Sequence, residues 1–429
     1  MGILSLEKDR AVLVGVNQFK SDNGQDIDDS MSELEELAQT AGAQVVATTV
    51  QNRATIHPAY FIGKGKADEI AEFCKSNDVN LVIFNDELSG AQIRNLENMI
   101  GRSVVDRTTV ILDIFAQRAQ SREGQLQVEL AQLRYRLPRL IGLGKELSRQ
   151  RGGIGTRGPG EMKLETDRRH ILRRIDEIKR LLEEVRKTRN IQRIQRIKSK
   201  LPIVALVGYT NSGKSTLMNA FLRKNQYHEQ DREVYVRDKL FSTLDISLRK
   251  IVLPQNREFL LTDTVGFVSK LPHDLVNAFK STLEEINYAD VLLHIIDASN
   301  KNYQLQMETT RGVLKDLGIN NKNIINVYNK GDLLDTGNII IQNKDTVIIS
   351  AKTGENLDKL VEMIFEKIGQ DQIDLTLLIP YDEGHIVAQL HEEAHVLKQK
   401  YLEKGVLMEA RLGKSLYRDK YKQYEYFLL

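Results

Sequence analysis

Apolar residues recur along this chain in two rhythms, and the rhythm changes where the architecture should change. From residue 10 to about 107, the short apolar runs AVLVGV, AQVVATTV, VNLVIFN and RSVV alternate with helix-like stretches such as SMSELEELAQ, KADEIAEFCK and SGAQIRNLENMI. That alternation predicts a small parallel α/β domain over 1–107. Beyond it, Leu126, Leu130, Leu133, Leu137 and Leu140 are spaced by four and three, and so are Ile171, Ile175, Ile178, Leu182 and Val185. These are the stripes of two amphipathic helices, whose seams can close on each other as an antiparallel hairpin over 108–188. Pro138 interrupts the first stripe and predicts a kink or a stop near Leu137. The segment RKTRNIQRIQRIKSK leads out of the hairpin as a basic helical linker, 189–201. A second series of runs, PIVALVG, SLRKIVL, EFLLTDT, VLLHIID, IINVYNK and TVIIS, predicts another α/β domain over 202–370, with a mostly parallel sheet and helices on both faces. Residues 371–429 begin with DLTLLIP and end in a Lys- and Tyr-rich tail that reads as a strand, giving a small C-terminal α/β domain.

Composition narrows the class. At 41% hydrophobic the chain can bury proper cores, and a single cysteine, Cys74, excludes a disulfide scaffold and fits a reducing compartment. Cys74 reads as a small buried apolar residue. The N-terminal MGILSLEKDR lacks the apolar core of a signal peptide, and no run approaches the length of a membrane span. The expectation is a cytoplasmic monomer, with at most peripheral association at a membrane. The net charge of +2 hides an uneven distribution: 134–200 carries 21 Lys and Arg against 8 Asp and Glu, a local +13 that leaves the remainder at −11. Such concentration is the footprint of a polyanion partner, with a solvated helix face as the alternative.

Two glycine motifs compete for the role of phosphate cradle. Gly153, Gly155 and Gly158 spell GxGxxG, but a dinucleotide turn follows a buried strand, and here a helical stripe precedes. The other motif is GxxxxGKS, with Gly208, Gly213, Lys214 and Ser215 directly after an apolar strand and directly before the helical LMNAFL. In such a loop, here Gly208, Tyr209, Thr210, Asn211, Ser212, Gly213 and Thr216, backbone amides wrap the phosphates at a helix N-terminus. Lys214 reaches the β and γ oxygens, and Ser215 ligates Mg²⁺.

Further motifs follow in the order a GTPase requires. FSTLD (Phe241, Ser242, Thr243, Leu244, Asp245) offers Thr243 to close over Mg²⁺. DTVG (Asp263, Thr264, Val265, Gly266) offers a carboxylate to hold Mg²⁺ through water and the Gly266 amide to the γ-phosphate. Asn329, Lys330, Gly331 and Asp332 form NKGD after a strand, and Ser350, Ala351 and Lys352 follow another. The Asp332 carboxylate can accept from the N1 hydrogen and 2-amino group of guanine, which adenine lacks, so the nucleotide is GTP or GDP. The position after DxxG, which in Ras-like enzymes carries the water-orienting glutamine, is Phe267. A benzyl group cannot orient water, which predicts slow hydrolysis completed by a partner. Lys214, Thr243 and Gly266 are left as the catalytic set, with Arg232 and Arg237 as candidate internal arginines.

These residues, with FIGKGKADEI, VVDRTTVILDIFAQRA, GGIGTRGPGE and ETDRR, closely resemble the HflX family of translation-factor-related GTPases over nearly the whole chain. The resemblance implies a protein that binds the large ribosomal subunit and its rRNA. It implies too that the GTP form separates stalled or idle ribosomes into subunits, that ribosomes stimulate hydrolysis, and that the hairpin loop reaches towards the peptidyl transferase centre. Arg151, Gly153, Gly155, Arg157, Gly158 and Gly160 are then the residues expected to meet the ribosome. A ribosome-assembly GTPase and an RNA-remodelling NTPase are the alternative readings.

Overall fold

The computed structural model describes residues 9–18, 27–149, 159–198, 201–224, 247–254, 257–270, 284–319, 322–334, 344–370, 372–413 and 416–427. They fall into two compact units. The first holds the described residues up to 185 together with 265–270, and the second holds those from 186 to 264 and from 284 onward.

In the first unit β1 (Arg10–Gln18), β2 (Gln44–Arg53), β3 (Leu81–Phe84) and β4 (Ser103–Asp106) form one parallel sheet in the order β2-β1-β3-β4. The inner strands β1 and β3 are the apolar ones because both of their faces are covered, whereas edge strand β2 is polar and partly exposed. Helices α1 (Ile27–Ala41), α2 (Lys64–Ser76) and α3 (Gly90–Ile100) make the connections expected from the alternating pattern. Val12, Val14, Ile62, Phe84 and Leu96 are among the core residues. Cys74 is fully buried there, and burial raises its thiol pKa, as suits an inert apolar residue.

Helix α4 (Arg107–Arg118) is capped by Asp106, which accepts from Thr109 N at 3.0 Å, and it packs on α1 rather than forming part of the hairpin. The hairpin itself consists of α5 (Arg122–Arg149) and α6 (Pro159–Lys198). Leu126 and Leu130 of α5 are buried with Ile175 and Ile178 of α6, flanked by Leu133, Leu137, Ile171 and Leu182, so the two seams do close. Arg174 clasps both oxygens of Glu129 across the helices, at 2.7 and 2.8 Å.

Two local expectations change. Pro138 does not end its helix: α5 continues through it to Arg149. A proline removes one hydrogen bond, to the carbonyl four residues back, and Leu133 and Leu137 just before it are held by packing against α6. Helix α6 likewise continues without interruption through the expected start of the basic linker and reaches Lys198.

In the second unit, β5 (Ile203–Gly208), β6 (Ser247–Leu253), β7 (Arg257–Asp263), β8 (Val291–Asp297), β9 (Asn323–Asn329) and β10 (Thr346–Ile348) form a sheet in the order β10-β9-β8-β5-β7-β6. All neighbours are parallel except β6, which runs antiparallel to β7 at the edge. The connections include α7 (Lys214–Lys224), α8 (Tyr303–Asp316) and α9 (Leu357–Gln370). Phe221 of α7 meets Phe259 of β7 edge to face at 5.8 Å between ring centres, within a core that includes Leu206, Leu293 and Ile364.

The C-terminal part of this unit is an antiparallel sheet of β11 (Gln372–Ile379), β12 (His395–Leu402) and β13 (Gly405–Gly413), with α10 (Gly384–Glu393) packed against it. The Tyr-rich tail is not a strand. Residues 417–427 form short helical turns, and Tyr417, Tyr421, Tyr424 and Phe427, spaced by four and three, present one apolar face to the core. Tyr421 is buried, with its hydroxyl donating to Glu393 at 3.2 Å.

Candidate nucleotide site

The phosphate-loop motif lies at the end of β5, whose neighbours on either side are β7 and β8. Gly208 has φ +153°, and a Cβ there would come within 2.3 Å of the Ile295 carbonyl oxygen, so no other residue fits without moving the strand. Gly213 has φ +92°, and its missing Cβ leaves room for the Asn329 amide, whose nitrogen would otherwise lie 2.1 Å away. Asn211 sits in the left-handed region at φ +59°, which asparagine tolerates. These three positions turn the chain sharply from the strand into α7, which starts at Lys214.

Lys214 is buried and donates from Nζ to the carbonyls of Gly208 at 3.1 Å and Tyr209 at 2.6 Å. Burial pushes its pKa down to about 8, partly offset by the Asp263 carboxylate. Ser215 Oγ donates to Asp263 Oδ2 at 2.8 Å, which joins the phosphate loop to the acid ending β7. Thr264 Oγ1 donates to the Leu206 carbonyl at 2.7 Å and fixes the chain just beyond that acid. A hydroxyl and a carboxylate side by side are hard oxygen donors of the kind Mg²⁺ takes while it keeps waters and phosphate oxygens as further ligands. Among the described residues no cluster of three His, Cys, Asp or Glu could hold a metal without such outside ligands.

The base-recognition motifs converge on the same loop. Asn329, at the end of β9, donates from Nδ2 to the Ser212 carbonyl at 2.8 Å and accepts from Ala351 N at 2.9 Å. One side chain thus joins the phosphate loop, NKGD and the Ser350–Ala351–Lys352 turn. Lys330 adopts φ +65° and donates to Asp297 Oδ2 at 2.7 Å. The sequence reading missed Asp297, although it ends the apolar run VLLHIID just as Asp263 ends LLTD. Asp332 is exposed on a short 3-10 turn, where its carboxylate is open to a ligand. Gly331 packs closely, since a Cβ there would meet Ile348 Cγ2 at 2.9 Å and the Ile349 carbonyl oxygen at 3.1 Å.

Within the second unit the chain therefore brings together Gly208–Thr216, Asp263, Asn329–Asp332 and Ser350–Lys352. Val265, Gly266 and Phe267 belong to the first unit, where Phe267 is 2% exposed. Phe241 to Asp245, with Arg232 and Arg237, lie outside the described residues. So do Arg151, Gly153, Gly155, Arg157 and Gly158 of the hairpin tip, while Gly160 is the second residue of α6.

Three family models match successive stretches: "GTP-binding GTPase N-terminal" over 28–116, "GTP-binding GTPase Middle Region" over 118–196 and "50S ribosome-binding GTPase" over 203–330. The chain is 52% identical over 383 residues to GTPase HflX of Caldanaerobacter subterraneus, covering 89% of this chain and 85% of that one. It is 48% identical over 378 residues to GTPase HflX of Lacrimispora saccharolytica, with 88% and 87% covered. With GTPase HflX of Escherichia coli K12 the identity is 43% over 389 residues, covering 90% and 88%. Relatives at this identity over most of both chains, together with the phosphate loop and base-recognition geometry, show that the protein is a P-loop GTPase that hydrolyses GTP and belongs to the HflX family.

Proposed function

We propose that this GTPase binds the large ribosomal subunit and, in its GTP form, splits stalled or idle ribosomes into subunits, with hydrolysis stimulated by the ribosome. The observation that carries the reading is the match of 203–330 to a family described as a ribosome-binding GTPase, on a chain whose positive charge is gathered on and beside one helical hairpin. Phosphate-rich RNA is the natural partner of such a surface.

In this reading, the amides of the Gly208–Thr216 loop and the Lys214 ammonium hold the GTP phosphates, and Asp332 selects guanine. Ser215, Thr243 and Asp263 would hold Mg²⁺, which would supply charge neutralisation at the phosphates. Gly266 offers its amide to the γ-phosphate. Phe267 supplies neither a proton acceptor nor a water-orienting group, so the missing stabilisation comes from the ribosome. A comparable stabilisation by an arginine supplied from a partner accelerates other GTPases by roughly 10³ to 10⁵.

The test is sedimentation. Intact ribosomes incubated with the protein and a non-hydrolysable GTP analogue should resolve into subunits on a sucrose gradient, and GDP should leave them intact. Ribosomes that stay whole under both nucleotides while immature large subunits are bound would replace splitting by a role in assembly.

A further inference from the structure

The phosphate loop has two distinct ends. Asn329, of the base-recognition motif, donates to the Ser212 carbonyl at 2.8 Å, so the loop meets the base side of the site at Ser212 and Gly213. At the other end the Lys214 ammonium, the group suited to the β and γ oxygens, donates to the Tyr209 carbonyl at 2.6 Å. Thr210, the residue after Tyr209, therefore stands at the terminal-phosphate end. It is 5% exposed, and its Oγ1 is buried without a hydrogen-bond partner among the described residues. The hydroxyls nearby are engaged within the chain: Ser212 Oγ donates to the Tyr209 carbonyl at 2.9 Å, and Ser215 Oγ to Asp263 Oδ2 at 2.8 Å. Asn211, at φ +59°, turns the chain directly after Thr210.

A buried hydroxyl without a partner is destabilising, because it has left its hydrogen bonds with water and gained none inside the chain. A phosphate oxygen arriving beside Lys214 is the acceptor that would satisfy it. We propose that Thr210 is a further catalytic residue of this GTPase: its hydroxyl donates a hydrogen bond to a γ-phosphoryl oxygen of GTP. A donor already out of water needs little reorganisation as charge shifts over the phosphoryl oxygens, and such a donor acts more strongly there than in solution. The β-branched side chain is also restricted at χ1, so it loses little rotamer freedom on engaging the phosphate. GDP lacks the γ-phosphate and gives the hydroxyl no such acceptor, so the contact belongs to the GTP state. It offers the reacting phosphoryl group a stabilising contact that Phe267 cannot make. The proposal rests on the placement of the GTP phosphates in the Gly208–Thr216 loop and on no action on ribosomes.

Thr210→Val removes the hydroxyl and keeps the branched shape, Thr210→Ser keeps the hydroxyl and loses the methyl, and Lys214→Ala is the control for the placement itself. Nucleotide-free, full-length Thr210→Val should melt no lower than the parent, because the lost group had no partner. Its affinity for GDP should stay within about twofold of the parent's, while that for a non-hydrolysable GTP analogue should fall about fivefold or more. Single-turnover GTP hydrolysis at saturating protein, without ribosomes, should fall about tenfold or more. Thr210→Ser should bring GTP-analogue affinity and rate back to within about threefold of the parent. Lys214→Ala should weaken both nucleotides; if it weakens neither, the placement of the phosphates in this loop fails, and the proposal with it. Where Lys214→Ala does weaken both, four results would overturn the role of Thr210 alone. These are a valine variant that matches the parent with GTP, one that loses GDP and GTP alike, one that melts lower, and a serine variant as slow as the valine one.

Discussion

Lys214 sits where an ammonium is costly. Burial alone favours its neutral form, and the two carbonyls it touches, with the nearby Asp263 carboxylate, compensate only in part, which leaves the pKa at about 8. Phosphate oxygens at the same place bring negative charge and raise the pKa of the bound form. Nucleotide binding above about pH 8 must therefore take up a proton, whereas below it the lysine is already charged. GTP affinity should then be flat from pH 7 to about 8 and decline above, approaching tenfold per pH unit. Titrating the parent against Lys214→Ala isolates this term from ionisation of the base, and a constant ratio of the two affinities between pH 7 and 9 would contradict it. Gly331 carries a related lesson at the same scale. Its neighbours Ile348 and Ile349 crowd the place of a side chain, so glycine there answers a packing requirement that reading the motif alone could not reveal.

At the scale of elements, the hairpin separates what a pattern can predict from what it cannot. The seam was legible because helical spacing repeated over five residues on each helix, and eight of those ten residues meet in one cluster. The continuation of α5 through Pro138 was not legible, because it depends on packing against a partner far along the chain. Spacing was also the missed clue in the C-terminal tail, where β-prone tyrosines invite a strand but their intervals of four and three are helical. In the GTPase motifs, Asp263 and Asn329 do end strands and Ser350 follows one, as apolar runs flanked by polar residues imply. The contacts of buried Arg107, which donates to Glu33, Asn85 and Ser269, had no such signature, because these residues are far apart in sequence and each is ordinary where it stands. The tip between α5 and α6 supports a prediction of its own. Nine residues, 150–158, separate the two helices, more than the few a helical turn requires, and Arg151 and Arg157 stand among four glycines. Glycine lets backbone approach a crowded surface, and arginine offers planar donors to phosphates and base faces. Replacing 151–158 by a short Gly/Ser turn should leave GTP affinity unchanged and abolish ribosome splitting, with Arg157→Ala giving a partial loss. Splitting at the parent rate by the shortened protein, followed on gradients, would reduce the tip to a spacer.

Over the whole molecule the charge balance matters more than the total. A chain of net charge +2 should show little attraction to a polyanion, yet a segment of +13 within a remainder of −11 behaves as a directed basic surface. The acidic remainder repels phosphate, so the attraction to a polyanion rests on the basic segment. If the basic segment meets rRNA phosphates, binding releases counterions, and log affinity falls linearly with log salt concentration. Arg193, Arg196 and Lys198 lie in the last turns of α6. Replacing them with glutamine should lessen the magnitude of the slope by about 2, taking roughly 0.7 per phosphate contact for single-stranded regions. GTP affinity should be unaffected, because the substitutions lie outside the nucleotide motifs. Binding to large subunits, measured by co-sedimentation from 50 to 300 mM salt, separates the two readings of this charge. A contact surface loses slope with each neutralised residue, whereas a merely solvated helix face keeps the parent slope.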